Sequence, residues 1–174
     1  MSLRTIMIFP EFENMEIIDK MRKQFDPLAD LVRPHITLVF PFESPMSNEK
    51  LAQILEERLA DMKPFQLELG GISKQEDVFG NYLFLNVLQG VEEVCHMHKV
   101  LYETEFQEFD KGLQYVPHMT VGKLVAAEEL DKAYKQVKFM ESTFRTEVRK
   151  IFVEMIGEKE ESIIVVEKVL GLQA

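Results

Sequence analysis

Two short words in the chain carry residue types that can do chemistry together: Pro34-His35-Ile36-Thr37-Leu38 and Pro117-His118-Met119-Thr120-Val121. Along an extended strand the side chains alternate between faces, so each word presents an imidazole and a hydroxyl on one face and an aliphatic pair on the other. The pairs are His35 with Thr37 and His118 with Thr120. An imidazole titrates near neutral pH and can take or give a proton. Two of them can form a general acid/base pair, in which one removes a proton from an attacking group and the other gives a proton to a leaving group. The two hydroxyls can donate hydrogen bonds to the bound group and steady charge that grows on it. Such a reaction needs no metal. The chain has four His and six Thr in 174 residues, so chance seldom places Thr two positions after His twice, each time with Pro before and an aliphatic residue after.

Hydrophobic periodicity supplies the elements that must hold these words. Apolar runs predict strands over 3–9, 31–42, 65–71, 78–87, 114–122, 142–156 and 162–170, about seven in all. In the second of these, Pro34 has no amide hydrogen to give a ladder, so pairing is expected to start at or after it. The third is expected to bend or bulge at Gly70-Gly71. The last two read as a hairpin around the turn 157–161. Helical stripes of three- and four-residue spacing fall over 14–25, with Met15, Ile18, Met21 and Phe25 inward, and after an N-cap at Ser47. Two further helices are expected over 91–109 and 128–137. The class is α+β. The order strand, helix, strand, helix, strand occurs twice, and each half places a Pro-His word on the strand after its first helix.

Those matched words resemble the 2H phosphoesterase superfamily, of the 2′-5′ RNA ligase-like kind, which is defined by two His-x-Thr-x motifs about 80 residues apart. Here His35-Ile36-Thr37-Leu38 and His118-Met119-Thr120-Val121 are separated by 83 residues. Chain length and element order resemble that family too. The resemblance implies one two-lobed domain over residues 1–174, with pseudo-two-fold symmetry, mainly antiparallel sheets, helices outside and a central cleft. It also implies a cyclic phosphodiesterase or RNA ligase-like enzyme acting on a 2′,3′-cyclic phosphate or a 2′-5′ linkage. His35 and His118 would be its catalytic pair and Thr37 and Thr120 its substrate ligands, with no cofactor. The alternative from another class is a non-catalytic module that binds a nucleotide or RNA end in the same cleft.

Composition narrows the partners. Thirty acidic against twenty basic residues give a net charge of −10, which repels polyanions at long range. A small nucleotide or an RNA terminus is therefore expected, and duplex DNA is not. The only cysteine is Cys95, so no intrachain disulfide can form, which points to a reducing compartment. No segment approaches the roughly 18 consecutive apolar residues of a membrane span, and the N-terminal stretch is interrupted by Glu11. A cytoplasmic monomer is the expectation.

Other candidates are weaker. His96 and His98 lie about 200° apart on a helix and cannot share an ion; His98 joins the apolar stripe and His96 the wet side. Arg33 precedes His35 by two and would point into the same cleft if the strand begins that early. Lys123 falls on the wrong face of a regular strand, unless a bend at Gly122 redirects it. Tyr115, Phe42, Phe79 and Tyr82 could stack a base, although aromatic strand residues are usually core.

Overall fold

A computed structural model describes residues 2–171. Eight strands form one antiparallel sheet: β1 Ser2–Ile8, β2 Ile36–Ser44, β3 Phe65–Asp77, β4 Gly80–Gln89, β5 His118–Leu124, β6 Thr143–Val148, β7 Lys150–Ile156 and β8 Ser162–Val169. Four α-helices accompany them: α1 Met15–Phe25, α2 Asn48–Arg58, α3 Val91–Tyr102 and α4 Ala127–Val137. The strand order is β6-β3-β4-β5-β2-β1-β7-β8. It divides at its centre into two similar halves, so that β5 corresponds to β2, β4 to β1, β3 to β7 and β6 to β8. This is the expected α+β arrangement, with the halves joined into a single sheet.

The join is narrow. β2 and β5 share one ladder pair, Ile36 with Met119. Around it a row of aliphatic side chains crosses the sheet through Leu85, Met119, Ile36 and Ile8, each no more than 1% exposed. The row belongs to the face covered by helices, where Ile18, Ile54, Leu101 and Leu130 join the same core. The helices also cross the seam, because α1 packs on β5 and α3 packs on β2. Each half thus lays its first helix over the motif strand of the other. Burial of these apolar faces, worth about 1.5–3 kcal/mol per large side chain, holds together halves that share almost no backbone ladder.

Local chemistry explains the boundaries. The Ser47 hydroxyl accepts from the Lys50 amide at 3.1 Å and caps α2. The Asp77 carboxylate accepts from the Phe79 and Gly80 amides at 2.8 and 3.2 Å and closes the β3–β4 hairpin. Three readings of the sequence are corrected here. The helix expected over 91–109 ends at Tyr102 and resumes as a 3-10 turn, Gln107–Phe109, because the Thr104 hydroxyl turns back onto the Val100 and Leu101 carbonyls. The strand expected over 142–156 is two strands broken at Arg149: β6 pairs with β3 in one half and β7 with β1 in the other. The count is therefore eight. The strand expected over 114–122 starts only at His118, and residues 110–117 form the loop before it.

Candidate active site

Ile36 and Met119 face the helices, so the residues on either side of them face the helix-free side of the sheet. There β2 presents Thr37, with His35 just before its first residue, and β5 presents His118 and Thr120, all four half-buried. Continuing the antiparallel register from Ile36 and Met119 sets Thr37 opposite His118 and Thr120 opposite His35. The two imidazoles are then diagonal neighbours, about 7–8 Å apart in a regular sheet. That span accommodates one tetrahedral phosphate with a hydrogen bond to each ring.

Each ring is held the same way. His35 Nδ1 lies 2.8 Å from the Arg33 carbonyl, and His118 Nδ1 lies 2.8 Å from the Val116 carbonyl. A carbonyl only accepts, so Nδ1 carries the hydrogen in both rings and Nε2 of the neutral form is left with its lone pair. The buried Pro34 and Pro117, between each carbonyl and its ring, stiffen the short loops that bring those carbonyls back. Burial depresses both rings below the usual imidazole range. For each, the bond to the carbonyl opposes that shift; for His35, the Arg22 guanidinium and His118 add to it while Asp26 opposes it. Both rings keep contact with solvent despite this crowding, on the helix-free face of the sheet, which is the cleft side.

The surroundings of the two rings differ. Phe84 of β4 stacks on His118 with ring centroids 3.6 Å apart and planes 20° apart, and Tyr82 stacks beside Phe84. His35 has the edge of Phe9 at 6.1 Å. Arg33 is exposed; its guanidinium lies 4.4 Å over the Phe9 ring and 3.9 Å from a Glu11 oxygen. Arg22 is buried on α1, where it pairs with Asp26 at 3.1 Å and donates to the Leu28 carbonyl at 3.3 Å. It thereby fixes the start of the loop that delivers His35.

Lys123 reaches the cleft side. The β4–β5 register slips between Leu83 paired with Gly122 and Phe84 paired with Thr120, an extra residue that turns the end of β5 over. Lys123 then sits opposite Tyr82, with its ammonium 5.7 Å from that ring.

The remaining candidates serve the frame. Phe42 is core, against Phe106 and Phe109. Phe79 lies exposed at the hairpin tip. The Tyr115 hydroxyl donates to the Thr37 carbonyl at 2.6 Å, and its ring stacks on His98 at 3.6 Å and 5°. His98 Nδ1 bonds the carbonyl of Leu38, the extra residue where β2 bulges against β1. The Tyr102 hydroxyl accepts from the Phe40 amide at 3.0 Å. These three side chains satisfy β2 where it parts from β5. His96 is exposed, and among the described residues no three His, Cys, Asp or Glu side chains gather as a metal site would. Sequence reasoning missed Phe84 and Asn86, both neighbours of His118; the alternation of Tyr82, Phe84 and Asn86 on β4 was the available signal.

Known proteins resemble this chain in sequence and in fold. A Bacillus cereus protein provisionally named a phosphoesterase is 32% identical over 130 residues, covering 72% of this chain and 73% of its own. A Geobacillus kaustophilus protein of similar name is 28% identical over 149 residues, 82% of each chain. Among solved structures, Escherichia coli LigT complexed with 3′-AMP superposes with a TM-score of 0.69 at 16% identity, covering 98% of this chain and 99% of that one. Kluyveromyces marxianus Usb1 gives 0.59 at 10% identity, covering 94% and 97%. These two likenesses are of fold. The profile of the 2′-5′ RNA ligase superfamily matches residues 9–156, and the chain belongs to that superfamily of 2H phosphoesterases.

Proposed function

We propose that this chain is a metal-independent phosphoesterase that opens a 2′,3′-cyclic phosphate, or cleaves or forms a 2′-5′ phosphodiester, by acid/base catalysis between His35 and His118. In hydrolysis, Nε2 of one imidazole takes a proton from water as the water oxygen bonds to phosphorus. The opposite phosphorus–oxygen bond breaks, and the other imidazole, protonated, gives its proton to the leaving oxygen. The Thr37 and Thr120 hydroxyls hold the non-bridging oxygens between them. The two rings exchange roles when the reaction runs backward.

The observation that carries this reading is the placement of the two His-x-Thr pairs on one face, on either side of the single β2–β5 pair, with matched Nδ1 bonds. The family membership supports it, as do solved structures of LigT complexed with 3′-AMP, ATP and NADP+. The net charge of −10 favours a small nucleotide or an RNA terminus over a long duplex. No helix among the described residues is long and apolar enough to cross a membrane. The test is incubation with 2′,3′-cyclic nucleotides in EDTA: nucleoside monophosphate should appear. Tight nucleotide binding without turnover would instead make the cleft a binding module and overturn the enzymatic reading.

A further inference from the structure

The two halves of the sheet are related by pseudo-symmetry, yet only one leaves its cleft face open. In the β2-β1-β7-β8 half, the strand beside the motif presents Met7 and Phe9, and these are 2% and 7% exposed. They pack with Phe152 under Val32 and Ile164. The loop before His35 lies over them: the Ser162 amide donates to the Leu31 carbonyl at 3.0 Å, and Arg33 covers Phe9. In the other half the corresponding places on β4 are Phe84, opposite Thr120, and Asn86, opposite His118. Here the loop before His118 turns away. Lys111 reaches Phe79 at the hairpin tip, Leu113 and Val116 are 61% and 62% exposed, and Tyr115 points back to His98. Tyr82, Phe84 and Asn86 remain half-exposed.

We infer that the substrate's nucleoside lies over β4, with Tyr82 and Phe84 as its apolar bed and the Asn86 amide as its hydrogen-bond donor. This deepens the proposed function and rests on it. The phosphate belongs at the seam between β2 and β5, and β4 lies one strand further out, about 5 Å. What reaches Asn86 is therefore the group esterified to phosphorus, not the phosphate. The Asn86 amide is oriented: its Oδ1 accepts from the Ser73 hydroxyl at 2.8 Å, so the Nδ2 hydrogens are the part left to offer. Nδ2 borders a hollow over Gly71. A side chain begun there would have Nδ2 as its nearest neighbour, at 3.6 Å, and φ of +73° at Gly71 disfavours any other residue. Beside His35 the corresponding residues, Met7 and Phe9, are buried under the loop before that histidine, so the motif is flanked by an uncovered strand on the β4 side and the pseudo-symmetric site accepts its substrate in one direction.

The experiment compares two probes, inorganic phosphate and adenosine 3′-monophosphate, by calorimetric titration. Wild type should bind the nucleotide more tightly than phosphate. Asn86→Ala, and Asn86→Leu, which keeps the branched shape, should each cut that preference about 3- to 10-fold with little change in phosphate affinity. Tyr82→Ala should cut it by about 5-fold or more. Arg33→Gln, over the covered half, should leave the ratio unchanged. A ratio untouched in all the Asn86 and Tyr82 variants overturns the inference, as does a ratio that moves with Arg33→Gln or a wild type without preference for the nucleotide. A wild type that binds neither probe overturns the proposed function as well.

Discussion

Tyr115→Phe removes one oxygen and tests whether the seam between the halves is held by side chains. The lost hydroxyl donates at 2.6 Å to the Thr37 carbonyl, in a strand that keeps a single ladder pair with β5. The phenyl ring can still stack on His98, so packing is preserved. Loss of the bond leaves a carbonyl unpartnered beneath the cleft, which costs about 1–2 kcal/mol. For a chain of this length that lowers Tm by about 2–8 °C. Thr37 and His35 ride on the same few residues of backbone, and a displacement of a fraction of an ångström there lowers kcat by about 10-fold with little change in KM. The assay is a urea melt together with steady-state hydrolysis of a 2′,3′-cyclic nucleotide. A variant within about 0.5 kcal/mol of wild type and with unchanged kcat would refute the reasoning.

Three other outcomes follow from the structure. Burial depresses both imidazoles, and the proposed acid/base pair works with one proton between its two rings, so kcat/KM should peak below the ordinary imidazole value of about 6.5; a peak above pH 7 contradicts this, checked by a pH–rate profile of the free enzyme. Gly122→Ala places a Cβ 2.9 Å from Phe25 Cβ and 3.1 Å from Leu83 Cδ1, so it should destabilise by about 1–3 kcal/mol in a denaturant melt, while an unchanged midpoint would mean that α1 and β4 yield freely. Glu154 is 5% exposed, and burial raises its carboxyl's pKa, so the charged form is the costly one in the folded state and stability is lost as pH rises through that raised value. Glu154→Gln keeps an acceptor for the Ser162 hydroxyl and offers an amide to Thr5 Oγ1, which has no partner among the described residues and stands opposite on β1; it should raise Tm at pH 7 by about 2–4 °C, and a lower Tm would show that the carboxylate is needed.

Half of the site was legible in the sequence because strand alternation is strict: His35 shares a face with Thr37 and His118 with Thr120, and the pairing of β2 with β5 then sets the two pairs side by side. What escaped was non-local. For Lys123 the sequence marked Gly122 as the place where a bend could redirect it, but the bulge that does so, with Val121 as its extra residue, sits where Gly122 packs tightly against Phe25 and Leu83. The stretch 142–156 has continuous strand character, yet it serves two distant parts of the sheet, because Arg149 is where the chain leaves β3 for β1. Arg22 lies within an apolar stripe that periodicity reads as Met15, Ile18, Met21 and Phe25. Its burial depends on Asp26, four residues on, and on the Leu28 carbonyl, which is placed by the turn after the helix and which no helical pattern encodes. His98 was legible as a packed residue, but its partner, the Leu38 carbonyl, was not, since a β-bulge created the need for it.

The claim on which the rest depends is that two imidazoles, one from each half, share a single phosphoester. It is tested most directly by turnover of a 2′,3′-cyclic nucleotide in EDTA by His35→Ala, His118→Ala and the double variant. Each single change should lower kcat by about 10²–10⁴-fold, and the double variant should lose far less than the product of the two, since the groups act as one unit. Near-wild-type kcat in either single variant would contradict the account.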